Sequence, residues 1–390
     1  MLIQTNLRKH LIQLCEVIKA RPTGSISNQE ATTYLETILL QEGLSVTKQA
    51  LSSIDWHNYS ASLTINNLNC PIVTSNYSTP CNISAPYVCI DNLKALKASL
   101  LTNKILVMHG NLCKESLMPK NFPWYNPEEH KEIIRILEEK NPLAIITVSF
   151  HDTLPIPIIE DGDFNIPCAV TSMSELPFLL RHQAEILTLK LNTKRTQTTS
   201  YNIIAHYGHG PKKISFSAHI DTKPNTPGAL DNGTGVATLL TIATQLKNIP
   251  SPYEIELVFF NGEDSYNCVG ESTYVSTYLN SNDYIFAVNI DGVGLKNSKN
   301  TYSFYECSNE FISSIQNIAN SFSDLEEIEP WPQGDHMLYA MNGIPTLSMT
   351  SSNIFDILDD VIHTEKDTFD LIDFITLENV VNFCLKLISF

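Results

Sequence analysis

Apolar residues in the first twenty positions fall at Leu7, Leu11, Leu14, Cys15 and Ile18, a spacing of three to four that predicts an amphipathic helix. A second helical stripe carries Ala31, Tyr34, Leu35, Ile38 and Leu39. Ser27, with Glu30 three residues on, predicts its start, and Gly43 its stop. The run LSVTKQAL then reads as a strand. From about 52 to 197 short β-like runs (ASLTI, KILVMHG, LAIITVSF, IPCAVTS) alternate with loops rich in Pro, Asn and Ser, with one helix in PEEHKEIIRILEEKN. This stretch reads as a separate β-rich module. From about 198 onward strands and helices alternate: KKISFSAH, a helix from Gly233 to Lys247, EIELVFF, a helix near 270–279, YIFAVNID and IPTLSM. That alternation predicts an α/β fold with a mixed, largely parallel central sheet flanked by helices.

Composition narrows the class. The 390 residues, 43% hydrophobic, suffice for a globular core. Charges interrupt the opening apolar positions, so no secretory signal is expected, and no run approaches the roughly 18 apolar residues of a membrane span. A net charge of -17 argues against nucleic acid and anionic membrane as partners and suits cationic ligands such as free amino termini. Nine cysteines without a CxxC pair predict free thiols and a cytoplasmic location.

The chemistry gathers at strand ends. KKISFSAHID delivers His219 and Asp221, GALDNGTG delivers Asp231 ahead of a helix, EIELVFFNGED delivers Glu263 and Asp264, YIFAVNID delivers Asp291, and VIHTEKDT delivers His363. Taken singly, each has an ordinary structural role: Asp231 or Asn232 as a helix cap, a strand-end His as a hydrogen-bonded residue. Jointly they would place several carboxylates on one sheet edge, where repulsion and desolvation cost several kcal/mol each without a cation. Two histidines with carboxylates suit zinc, or cobalt or manganese in its place. Five ligands serve two ions if one carboxylate bridges and water completes the coordination, the arrangement of a hydrolase.

The order HxD, GAxDN, an acidic pair after a strand, a strand-end Asp and a late HT..D resembles the co-catalytic dizinc aminopeptidases of metallopeptidase family 28. RPTGSISNQEATTYLETILLQEG is similar to that family's amino-terminal helices, and LTNKILVMHG with FNIPCAVTS resembles a protease-associated domain. The resemblance implies a discontinuous zinc peptidase domain, 1–51 and 198–390, with a protease-associated-like insertion at 52–197. It implies that His219 and Asp291 bind one zinc, Asp264 and His363 a second, and that Asp231 bridges them. Asp221 would hydrogen-bond His219, and Glu263 would be the general base that takes a proton from water and gives it to the leaving amine. A cis peptide after Asp231 is also implied. Asp264 stands where many members have Glu, and Ile362 where aminopeptidases often place a Tyr that stabilises the oxyanion, so His336 becomes a candidate donor.

The expected activity is hydrolysis of the amino-terminal peptide bond. A carboxypeptidase would want an Arg fork, yet Arg occurs only at 8, 21, 135, 181 and 195. A glutaminyl-cyclase-like acyltransferase with one zinc is an alternative on the same fold. A binding protein that has lost catalysis is a third, disfavoured because all five ligands and Glu263 are present.

Overall fold

The computed structural model describes residues 2–151, 155–358 and 360–389. The chain divides into two compact units, Met1–Ser53 with Thr198–Phe390, and Ile54–Gln197. In the first, Leu7, Leu11, Leu14 and Cys15 are buried along an α-helix, Leu2–Leu11, that widens into a π-helix, Ile12–Ile18. The next helix, Ile26–Gln41, corrects the expected cap. Ser25, whose backbone is extended, accepts from the N–H of Asn28, whereas Ser27 donates to the Ala20 carbonyl. Of the two hydroxyls, the one on the extended residue can reach back to the first turn. Gly43, at φ +86°, ends the helical path.

The sheet of this unit runs Leu325–Glu327, Asn300–Tyr305, Thr346–Ser351, Tyr284–Ile290, Lys213–His219, Glu254–Phe260 and then residues 203–207. The strands from Thr346–Ser351 to Glu254–Phe260 are mutually parallel, and the neighbours on either side join them antiparallel. The sheet is therefore mixed and largely parallel at its centre. Alternation along the strands sends Ile214, Phe216, Ala218, Ile255, Leu257 and Phe259 into one core with Leu7, Leu11, Leu239, Leu240, Val380 and Phe383 of the helices. Each of the Val, Leu, Ile and Phe side chains contributes about 1.5–3 kcal/mol on burial. The intervening residues face the other way. There Glu256 accepts from Lys213 Nζ at 2.6 Å, Ser215 Oγ at 2.8 Å and Tyr274 OH at 2.7 Å.

In the second unit the strands Ile105–Met108, Ala144–Val148 and Cys168–Thr171 lie parallel, with residues 87–90 of Cys81–Ile90 joining them. The helix Glu128–Lys140 contributes Ile133, Ile134, Ile136 and Leu137 to one of two apolar clusters in this unit. Asn141, at φ +45°, stops that helix.

Candidate metal centre

Because Tyr284–Ile290, Lys213–His219 and Glu254–Phe260 are adjacent and parallel, their carboxyl ends open side by side, with Phe260 level with His219. A topological edge of this kind is where α/β sheets collect ligands. His219 ends its strand, Glu263 and Asp264 follow Phe260, and Asp291 follows Ile290. Asp231 reaches the same edge from a short π-helical turn, Ala229–Gly233, whose Asp231–Asn232 peptide is cis. His363 arrives from a carboxyl-terminal loop in the left-handed conformation, φ +61°.

Distances divide the ligands into two groups that share one residue. His219 Nε2 lies 3.0 Å from Asp231 Oδ1 and 3.6 Å from Asp291 Oδ1. His363 Nε2 lies 3.0 Å from Asp231 Oδ2 and 3.2 Å from Asp264 Oδ1. The two oxygens of Asp231 thus address different imidazoles. Ligands about 2.0–2.1 Å from a tetrahedral zinc stand roughly 3.3 Å apart, and the distances in both groups lie within a few tenths of an ångström of that separation. His219 Nε2 and Asp264 Oδ2 are buried with no aligned hydrogen-bond partner, although His219 touches carboxylate oxygens on two sides. Ligand atoms of His219, Asp231 and Asp264 all lie within 4.8 Å of one another. Unpartnered nitrogen and carboxylate oxygen atoms converging in this way fit a bound divalent cation. Asp264 reaches His363 despite being one carbon shorter than Glu.

The surroundings fix these groups. His219 Nδ1 lies 3.2 Å from the main-chain carbonyl of Asp221, to which it donates, leaving Nε2 for a cation. Asp221 thus bonds His219 through its main chain, and its side chain stands 3.8 Å from Nδ1. The Asp221 carboxylate instead accepts from the N–H of Gly262 at 2.8 Å and from Thr23 Oγ1 at 2.8 Å, tying the segment that leads into Glu263 to the amino-terminal region. Asn232 Nδ2 donates to the Ile290 carbonyl at 2.8 Å, and its Oδ1 accepts from the N–H of Gly235. Asn232, not Asp231, therefore takes the capping bond, and it connects the Asp231 turn to the strand that ends in Asp291.

Electrostatics follow from crowding. For Asp231, burial alone would raise the carboxyl, but hydrogen bonds and charge from His219 and His363 hold it well below the usual range. Burial, reinforced by Asp264, Asp291 and Asp231, pushes Glu263 well above its ordinary value, against an opposing effect of His219. Among the described residues, no hydrogen bond restrains the Glu263 side chain, which leaves its oxygens free for a water.

Three residues carry more than their sequence signal suggested. Asp367, fully buried, accepts the N–H of Leu230 at 2.8 Å and of Asp231 at 3.0 Å. Its place in the HT..D pattern was the available clue. Glu271 and Asp335 are buried with all four carboxylate oxygens lacking hydrogen-bond partners, and burial followed by neighbouring carboxylates raises both. His336 corrects the oxyanion expectation. It is fully buried, its Nε2 lies 3.0 Å from the Trp331 carbonyl and its Nδ1 3.2 Å from Ser348 Oγ. Burial holds the ring down at about 4, so it stays neutral and engaged on both nitrogens.

The fold and site define an α/β protein with a buried, metal-shaped cluster at the carboxyl edge of a largely parallel sheet. Comparison with known proteins gives that class a family. The model of Peptidase family M28 matches residues 202–388. Over 117 residues the chain is 32% identical to a probable lipoprotein aminopeptidase of Mycobacterium tuberculosis, covering 30% of this chain and 23% of the relative. Over 98 residues it is 39% identical to an aminopeptidase of Bacillus subtilis, covering 24% and 21%. The chain thus spans under a quarter of either relative's length. The zinc aminopeptidase BSAP from Bacillus subtilis shares the fold at TM-score 0.79 and 20% identity, covering 98% of this chain and 93% of that one. A glutaminyl cyclase of Porphyromonas gingivalis shares it at TM-score 0.56 and 15% identity, covering 99% and 96%. The resemblance to peptidase family M28 thus lies in the stretch that carries the site.

Proposed function

We propose that the chain is a two-metal exopeptidase that removes the first residue from the amino terminus of peptides. The observation that carries this reading is the placement of Asp231, one oxygen toward His219 and the other toward His363. His219, Asp231 and Asp291 would hold one zinc, and His363, Asp231 and Asp264 the other. Each set has three protein ligands, which leaves a position open. Bound zinc supplies positive charge that acidifies water and polarises the scissile carbonyl.

The chain's own residues supply the remainder. Glu263 takes a proton from the attacking water and delivers it to the departing amine, acting as base and then as acid. The Asp221 bond to the Gly262 N–H sets the backbone from which Glu263 projects. Recognition of a free amine rather than a carboxylate is supported by what the arginines do. Arg21 and Arg195 both direct their guanidinium groups at main-chain carbonyls, and no Arg occurs from 198 to 390. A carboxypeptidase fork has no candidate there. The relatives named aminopeptidase support the same reading. We also propose that residues 54–197 are a protease-associated-like insertion and that the nine unpaired cysteines suit a reducing compartment.

The test is a set of amino-acyl anilides and short peptides presented to zinc-loaded and chelator-stripped protein. Release of the amino-terminal residue only with metal is expected. Glu263→Gln, which removes a base and no ligand, should keep its zinc while turnover falls by roughly a hundredfold or more. Trimming from the carboxyl end, or wild-type turnover by the Gln variant, would contradict the proposal. Release of ammonia from amino-terminal glutamine would favour the acyltransferase alternative.

A further inference from the structure

The turn that carries Asp231 lies between two buried charges of opposite sign that do not pair with each other. On one side is Arg21, which is fully buried. Its Nε donates to the Ile220 carbonyl at 2.6 Å, Nη1 to the Pro227 carbonyl at 2.7 Å and Nη2 to the Gly228 carbonyl at 2.9 Å. On the other side is Asp367, also fully buried, whose oxygens take the N–H groups of Leu230 and Asp231. Peptide carbonyls face the cation and peptide N–H groups face the anion, so the dipoles of the turn are aligned between them.

The turn has no slack. Gly228 sits at φ +60°, and a Cβ there would fall 2.2 Å from Thr222 Cγ2 and 2.5 Å from the Asp231 carbonyl oxygen. Thr222 in turn accepts from the Arg21 N–H at 3.0 Å. Desolvating a guanidinium and a carboxylate costs several kcal/mol each, and neither has an opposite side-chain charge at ion-pair distance among the described residues. What they obtain is a fixed path from Ile220, just after His219, to Asp231, and from Asp231 to the segment four residues beyond His363. These are the spacings that decide whether one carboxylate can span two ions.

We propose that Arg21 and Asp367 are positioning residues that clamp the Asp231 turn from both sides, so that its two oxygens are held toward the two metal positions. This rests on the metal-ligand reading above and not on the substrate. Outer-shell partners of metal ligands typically alter affinity by about 10–100-fold. The clamp acts through the shared ligand, so both bound ions should feel its loss.

The experiment is competition for zinc between a chromophoric chelator and the full chain, with Asp367→Asn, Arg21→Lys and Arg21→Met compared with wild type. Thermal unfolding of each is followed in chelator and in zinc. Asp367→Asn keeps one acceptor oxygen and turns an amide against the other N–H, so both zinc affinities should fall at least tenfold. Arg21→Met should do the same, and Arg21→Lys, which retains a cation, should recover part of the loss. In chelator the Asn variant should still unfold in one cooperative transition, lowered by no more than the loss of one buried hydrogen bond, and the rise on adding zinc should shrink. Zinc affinities within twofold of wild type in Asp367→Asn and Arg21→Met would overturn the clamp. So would a metal-free Asn variant that is unfolded, since the residue would then serve the fold alone. These readings hold whether or not the wild-type chain cleaves peptides, so failure of the substrate proposal would be seen separately.

Discussion

At the scale of single residues, the candidate ligands can be picked out because each sits at a position that strand periodicity or a short motif marks. His219, Glu263, Asp264 and Asp291 follow the last apolar residues of predicted strands, and Asp231 and His363 belong to short motifs. Glu271 shows a different lesson and gives a prediction. Burial, and after it the charge of Asp221, lift its carboxyl from 4.5 to about 7, so the native chain holds a proton that the unfolded chain releases across that window. Native stability is therefore present below the lower value and lost as pH rises toward the upper one. Glu271→Gln removes the effect. In chelator the variant should be more stable than wild type at pH 8 by roughly 3 kcal/mol, with the difference closing near pH 4.5, as read from urea unfolding. A difference that stayed constant with pH would show that Glu271 does not titrate there. Neither Glu271 nor Arg21 nor Asp367 could be assigned from local pattern, since their contacts join positions far apart, 136 residues in the case of Asp367 and Asp231. The expected bond between Asp221 and His219 is made by the main-chain carbonyl, a detail the motif leaves open because it specifies residue type and not which oxygen is used.

At the scale of elements, strong apolar periodicity was readable and polar edges were not. The central strands carry continuous buried runs such as ELVFF, whereas Asn300–Tyr305 and Leu325–Glu327, which complete one side of the sheet, are polar or very short and were not expected. The cap at Ser25 rather than Ser27 depended on backbone conformation that two neighbouring serines do not distinguish. The Glu256 network tests how separable stability and site are. Its carboxylate takes Lys213, Ser215 and Tyr274 on the face away from the helical core, one turn of the strand pattern before the site. Glu256→Ala should leave the Lys213 ammonium without its carboxylate, while Ser215 and Tyr274 keep Tyr339 and Tyr284 as partners, and cost about 3 kcal/mol in urea unfolding. Zinc content of the folded variant should be unchanged. Loss of metal with stability intact would show that this network supports the site and not the sheet.

For the whole molecule, the two units differ in what composition could announce. The change from helical to short β-like runs near 52 marked a module, and the structure divides the chain at 53 and 197. The parallel order of its central strands was invisible in runs of four or five apolar residues, which suit parallel and antiparallel neighbours alike. Residues 54–197 hold two apolar clusters of their own. Expressed alone, they should fold cooperatively, with dispersed amide signals and a single urea transition, and an excised segment lacking both would show that its cores depend on the remainder of the chain. The acidic edge of the other unit is the central claim, and elemental analysis tests it most directly. Zinc per chain should be measured at saturation for wild type and for Asp231→Ala. Two equivalents in wild type and none retained in the variant are predicted, because one carboxylate serves both ions. A single equivalent in wild type, or two in the variant, would contradict the bridge.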